Sequence, residues 1–410
     1  MTDVQSPKSG RTALRIGAAL LAGAAVLAVT PAAVAATGGA GSPGVATVRA
    51  GQADPAALRQ ALDALVTRGG GTAALGEVRD QGRTVWRGAT GVADLDTGAP
   101  ARADGRFRIG SATKTFVATV VLQLVGERRV ELDAPIERYL PGVVRGGAGI
   151  TVRQLLNHTS GLYDYLREPG LYYRPGDDAS LHDWLAVGRW TDYSPQQLIA
   201  IANRHEPDFA PGTGWQYSNT NYIVAGLLID KVTGHNWRQE VERRIIRPLG
   251  LTHTTLPTTA TTLPGHYAHG YVEPLSGGHL DVTELNPSFA DAAGSAISST
   301  EDLTRFNAAL LGGRLLRPAE LEEMTTAHPT SDPRLGYGLG LMRVTEPCGD
   351  FWGHDGGIAG YTTTVLGDAG GRHQLALSMN PYDLSDPDRT SAAFESFVAT
   401  AACGTGAPTH

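Results

Sequence analysis

Lysine is nearly absent from this 410-residue chain: of 34 basic residues only Lys8, Lys114 and Lys231 are lysine, and the rest are arginine. A guanidinium cannot give up its proton at accessible pH, whereas an ammonium can, so each surviving lysine is a candidate for acid–base work. An excess of positive charge is also missing. The net charge is −7, which argues against a nucleic-acid partner, because phosphate binding needs a basic surface. Among the 12 histidines there is no H-E-x-x-H, and His266-x-x-His269 has no carboxylate close in sequence, so a metallohydrolase is not indicated. There is no G-x-S-x-G elbow and no phosphate loop. Past the N-terminal region no apolar run reaches the roughly 20 residues that a membrane span requires.

What is present begins with an export pattern. Lys8, Arg11 and Arg15 precede an apolar stretch from Ile16 to Val29, and Ala33-Val34-Ala35 matches an A-x-A cleavage site. Residues 1–35 therefore read as a signal peptide and residues 36–50 as a loose linker. Cleavage would remove three positive charges and Asp3, taking the net charge from −7 to −9. The expected product is secreted, without a stable membrane anchor, and monomeric. Export permits Cys348 and Cys403, the only cysteines, to pair. Such a bridge would close a 55-residue loop, for a stabilisation of about 4 kcal/mol in the chain-entropy model. Two separate buried thiols are the alternative.

With 41% hydrophobic residues, the chain can bury a large core. Asp54-Pro55 opens a helix to about Arg68, ended by glycines. Strands follow at 72–79 and 82–92, and then a helix from Ser111 to Gly126 that is apolar nearly all round, hence buried. Residues 127–290 read as helix and loop. Short helices and strands return at 300–311, 318–326, 338–344, 361–367 and 373–379, with a last helix over 389–402. The expected fold is α/β (α+β), an antiparallel sheet flanked by helices. Residues 51–126 and 291–405 would form that domain, and 127–290 an inserted, mainly helical one.

Three clusters carry chemistry. In Ser111-Ala112-Thr113-Lys114, residues three apart share a helix face, so Lys114 Nζ reaches Ser111 Oγ. A buried lysine with a lowered pKa can take the serine proton, and the Ser111 N–H can face a developing oxyanion. The plain alternative is a capping serine followed by a surface lysine. In Tyr217-Ser218-Asn219, the phenol would protonate a leaving group and the Asn219 amide would bind a substrate carbonyl. Ser218 as a helix cap is the plain alternative. In Gly353-His354-Asp355-Gly356-Gly357, glycines allow close backbone approach, and the Gly357 N–H would be a second oxyanion donor.

In order and spacing, S-x-x-K, Y-x-N and [HK]-x-G together resemble the motif set of the penicillin-recognising serine hydrolases. The resemblance is strongest to soluble exported D-alanyl-D-alanine carboxypeptidases and their class C β-lactamase relatives. It extends through "RFRIGSATKTF", "LDAPIERYLPG", "ITVRQLLNHTSGLYDY", "YSNTNYIVAGLLIDKVTGH", "GSAISSTEDL" and "GYGLGL". It implies a β-lactamase/transpeptidase-like fold, Ser111 as acylated nucleophile, and Lys114 and Tyr217 sharing the proton work. It implies Asn219 and His354 at the border of the cleft, and Ser111 and Gly357 amides as the oxyanion hole. Phe289, with Tyr163 and Tyr165, would supply aromatic walls. Cys348 and Cys403 fall where these carboxypeptidases carry their disulfide. No metal or organic cofactor is implied. The ligands would be a small peptide or ester substrate, with β-lactams as acylating agents.

The chain departs from that pattern where a terminal carboxylate is held. The carboxypeptidases show H-T-G-T and an arginine just after "GYGLGL", but here stand His354-Asp355-Gly356-Gly357 and Met342, with Arg343 one residue on. A one-residue slip along a strand reverses the face of a side chain, so Arg343 is no automatic substitute. The expected activity is D-alanyl-D-alanine carboxypeptidase on cell-wall peptides. A D-specific endo- or aminopeptidase, an amidase, an esterase, a class C-like β-lactamase or a β-lactam-binding protein with little turnover are alternatives.

Overall fold

Asp54 caps the first helix, α1 (Pro55–Thr67), by accepting from the Ala56 amide, and Leu58, Leu62 and Leu65 bury one side of it. The structure, a computed structural model, describes residues 54–381 and 387–404, so the signal and linker assignments for 1–50 lie outside the described residues. The next two segments, β1 (Gly71–Asp80) and β2 (Arg83–Asp94), form a hairpin. Its two connecting residues, Gln81 and Gly82, both have positive φ (48° and 77°). That backbone matches the twist of paired strands.

The main sheet is completed by β3 (Ala99–Pro100), β4 (His328–Pro329), β5 (Leu335–Tyr337), β6 (Met342–Glu346), β7 (Gly349–Ile358), β8 (Tyr361–Asp368) and β9 (His373–Pro381). Its order is β3-β2-β1-β9-β8-β7-β6-β5-β4, with every neighbouring pair antiparallel. Two expectations need correction. The regular element expected over 338–344 is a strand only from Met342, because Gly338–Leu341 loop away to lay Gly340 (φ 73°) against Ala118 and Tyr222. The long strand β7 was not expected as a strand, because its glycines and the His354-Asp355 pair interrupt the alternation of apolar residues that marks one.

Two layers cover the sheet. Helix α1 and the last helix pack on one face, where Leu62, Val78, Leu375, Leu377 and Phe397 form an apolar cluster. The other face meets the helix from Thr113 to Gly126 (α2) and that from Thr300 to Leu311 (α4); Phe116 and Phe306 stack between them at 3.7 Å. Of the helices between these in sequence, α3 (Thr220–Thr233) packs against α2. A single apolar cluster runs from Leu75 through α2 and α3 to Ala376. The helical stretch at 127–290 thus shares its core with the sheet. The last helix, α5 (Pro387–Cys403), ends in a disulfide to Cys348, with 5.5 Å between the Cα atoms. Among the described residues no helix is long and apolar enough to cross a membrane.

Candidate active site

The short 3-10 turn Gly110–Ala112 delivers Ser111 to the start of α2. Gly110 takes φ 50°, and Thr113 Oγ1 fixes the turn by donating to Gly110 O (2.7 Å) while accepting from Ala296 N (3.1 Å). One turn on, Lys114 is fully buried. Its Nζ lies 2.9 Å from Ser111 Oγ, 2.8 Å from Asn219 Oδ1 and 2.7 Å from Ala293 O. Burial lowers its pKa to about 7, against the opposing pull of Asp164 and Asp355. The three partners suit both protonation states. An ammonium donates to all three; a neutral amine donates to Asn219 and Ala293 and accepts the Ser111 hydroxyl proton.

Asn219 precedes α3 and is committed to this network. Its Nδ2 donates to Asp164 Oδ2 at 3.0 Å, so the amide is oriented with Oδ1 toward Lys114. This corrects the expectation of an amide open to a substrate carbonyl. One amide proton remains for that task, and the main role is to hold the lysine. Asp164, whose carboxyl is pushed up by burial, was missed by sequence reasoning. In "GLYDYL" it resembles an ordinary turn aspartate, and it does cap a turn by accepting from Leu166 N.

Tyr217 joins the pair from the segment just before α3. Its ring centroid lies 4.8 Å from Lys114 Nζ. Burial drives the phenol well above its ordinary pKa, while the nearby Ser111 hydroxyl pulls the other way. Even so, Tyr217 Oη makes no hydrogen bond of acceptable geometry. A neutral phenol held there is a proton donor. Ser111, Lys114 and Tyr217 are thus gathered in one place.

Strand β7 closes the site. A Cβ at Gly356 would lie 1.9 Å from Ile109 O and 3.0 Å from Ser111 N, and one at Gly110 would lie 2.8 Å from Gly357 N. Only glycine permits this approach, and it sets the Gly357 amide against the Ser111 turn as an oxyanion hole requires. His354 is corrected as a binding residue. It is fully buried, with Tyr337 Oη donating to Nε2 (2.8 Å) and Nδ1 donating to Asp355 O (2.5 Å), so neither ring nitrogen is free. The Asp355 side chain is 54% exposed, and its charge reaches Lys114 and Tyr217. Arg343 pairs with Trp352, and its guanidinium lies 4.0 Å from Asp350, toward the end of β7 away from Gly357.

The aromatic residues are taken up in packing. Phe289 is buried in the core against Tyr172, with its carbonyl accepting from Tyr165 Oη at 2.6 Å. Tyr163 stacks on His205 at 3.9 Å beneath the Arg167 guanidinium. The expectation that Phe289, Tyr163 and Tyr165 wall the cleft gives way to these contacts. His269 does meet a carboxylate, Asp281, at 2.6 Å, but no group of three metal-ligating side chains exists among the described residues.

A buried lysine bonded to a serine at the start of an apolar helix, with a phenol and a glycine strand around it, is the arrangement of a serine hydrolase. The chain belongs to the beta-lactamase family, whose model matches residues 58–394, and with it to the penicillin-recognising serine hydrolases. A solved D-stereospecific amidohydrolase from a Streptomyces species is 42% identical, covering 86% of this chain and 100% of that one, with a TM-score of 0.77. The D-amino acid amidase of Ochrobactrum anthropi SV3 is 29% identical over 83% of this chain and 98% of that one, with a TM-score of 0.69. Penicillin-binding protein 4* of Bacillus subtilis is 27% identical over 70% of this chain and 63% of its own length. Esterase EstB of Burkholderia gladioli is 35% identical over 42% of this chain and 44% of its own. The chain thus spans less than two thirds of these two curated relatives.

Proposed function

We propose that this protein is a D-stereospecific amidohydrolase whose leaving group carries no carboxylate: an amide, an ester or an internal peptide bond. Asp355 carries this reading. A half-exposed carboxylate on the oxyanion strand itself, two residues from Gly357, would repel a free C-terminal acid, and Arg343 is turned toward Asp350 instead of offering a counter-charge. The carboxypeptidase activity expected from the motifs needs such a counter-charge. A charge-assisted hydrogen bond contributes about 1.5–3 kcal/mol. The amidohydrolase and amidase relatives support the same direction and supply the D-configuration.

In the reaction, neutral Lys114 accepts the Ser111 proton as Oγ attacks the carbonyl carbon. The Ser111 and Gly357 amides stabilise the oxyanion. Tyr217 passes its proton to the departing nitrogen as the C–N bond breaks, and the Lys114 ammonium restores the phenol. Water then attacks the acyl-enzyme, gives its proton to the same pair, and the proton returns to Ser111 Oγ. We also propose export, on the strength of the N-terminal pattern and the Cys348–Cys403 disulfide.

One comparison tests the substrate class: a D-alanyl-D-alanine peptide, its C-terminal amide and its methyl ester. The amide and ester should be turned over at least about tenfold faster than the acid, corresponding to one lost charge-assisted contact. Asp355→Thr should raise free-acid turnover. A preference for the free acid would overturn the assignment, and rapid turnover of a β-lactam would point to a β-lactamase.

A further inference from the structure

Tyr217 is the one member of the reacting trio that no hydrogen bond orients. What holds it is His158, a residue outside the chemistry described so far. His158 has φ 62°, the left-handed region that non-glycine residues seldom adopt, and is fully buried. From there it grips the chain on both sides of the tyrosine. Its carbonyl accepts from Gln216 N at 3.1 Å, and its Nδ1 accepts from Ser218 N at 3.2 Å. Its ring covers the Tyr217 ring, with centroids 4.2 Å apart and planes inclined by 31°.

The tautomer follows from the partners. The Ser218 amide can only donate, as can Asn221 Nδ2 at 3.0 Å, so Nδ1 carries no proton and Nε2 does. Asn221 is held in turn by Ser160 Oγ donating to its Oδ1 at 2.6 Å. Burial, reinforced by Lys114 and His354, keeps the imidazole neutral well below its ordinary pKa. The remaining contacts are rings: Tyr337 at 4.7 Å, Tyr222 at 5.5 Å and Trp215 at 6.3 Å. A protonated ring would lose both acceptor contacts at Nδ1.

We propose that His158 is the positioning residue for Tyr217, and that through it the enzyme sets how fast an amine leaving group is protonated. The inference rests on the acyl-transfer reading, in which Tyr217 supplies that proton. An amide nitrogen must be protonated to depart, whereas p-nitrophenolate leaves unassisted. Loss of positioning therefore slows acylation by amides and spares acylation by activated esters. Mere damage to the fold acts on both.

The test compares an amide and a p-nitrophenyl ester of one D-acyl group. His158→Asn keeps a δ-position acceptor and tolerates positive φ but removes the ring. His158→Phe keeps a ring and removes the acceptor. General-acid assistance is worth about 10²–10⁴-fold, and misplacing the donor should cost the amide roughly 10–100-fold in kcat. The ester's first-turnover burst rate, which reports acylation alone, and the amide KM should stay within about threefold, far inside that range. Tyr217→Phe should show the same selectivity, and adding His158→Asn to it should cost the amide nothing more. The ester burst amplitude counts folded active sites, so amide kcat per active site still reports in a destabilised variant. Equal losses on both substrates, no loss, or additive losses in the double variant would overturn the inference. A Tyr217→Phe variant without selectivity would instead overturn the proton-donor reading beneath it.

Discussion

At the scale of single residues, Lys114 carries the most decisive expectation. Its pKa of about 7 lies below the ordinary 10.5 because the ammonium is buried. The neutral base therefore accumulates as pH rises through about 7, and the acylation burst should grow with it and then level off. The sign for stability is the same. Between the folded and unfolded values the unfolded chain binds the extra proton, so this group's contribution to stability rises with pH across that window and is at its worst below about 7. Burst rates from pH 5 to 9 check the first claim, and an acid limb with no inflection near 7 would contradict it. Lys114→Arg keeps charge but cannot act as base, and should lose about 10²–10⁴-fold in kcat. Near-normal turnover would remove the lysine from the mechanism.

At the scale of elements, β7 decides whether the oxyanion amides meet. Gly356→Ala places a methyl 1.9 Å from Ile109 O, a backbone atom that cannot swing aside. The strand must move off the serine turn, and removal of one oxyanion donor costs about 10²–10³-fold in kcat. Intact circular dichroism with a lost burst would show displacement of the donor alone; an unchanged burst would show that the strand has slack. This element also marks the limit of what the sequence discloses. Ser111 and Lys114 were legible because their spacing and the rarity of lysine are local facts, and Tyr217 because its Y-x-N motif resembles the family's. The apolar α2 and the β1–β2 hairpin were legible for the same reason. Strand β7 was hidden by the glycines that make it useful. Asp164 and His158 were hidden because their partners, Asn219 and the residues flanking Tyr217, lie far along the chain. No periodicity records that a turn aspartate and a loop histidine face a lysine and a tyrosine.

At the scale of the whole molecule, the Cys348–Cys403 bridge joins the end of α5 to the residue before β7, at the end of that strand opposite Gly357. Replacing Cys403 with serine should lower stability by up to about 4 kcal/mol, read as a fall in Tm, with the burst amplitude unchanged at low temperature. A lost burst in the folded variant would show that the bridge reaches the site. The sheet order has a separate consequence, in time. One neighbouring pair, β1 and β9, joins Gly71 to Pro381, so the first long strand made by the chain waits for nearly the last. Contacts that distant in sequence form slowly, and Ser111, though made early, has no complete pocket until they do. A chain stopped before His373 should therefore stay unreactive toward an acylating β-lactam while the complete chain reacts. Labelling of the shortened chain would show that the nucleophile matures ahead of the sheet. If the shortened chain stays unreactive, the order of synthesis works as a timer, keeping a reactive serine silent until the rest of the molecule exists around it.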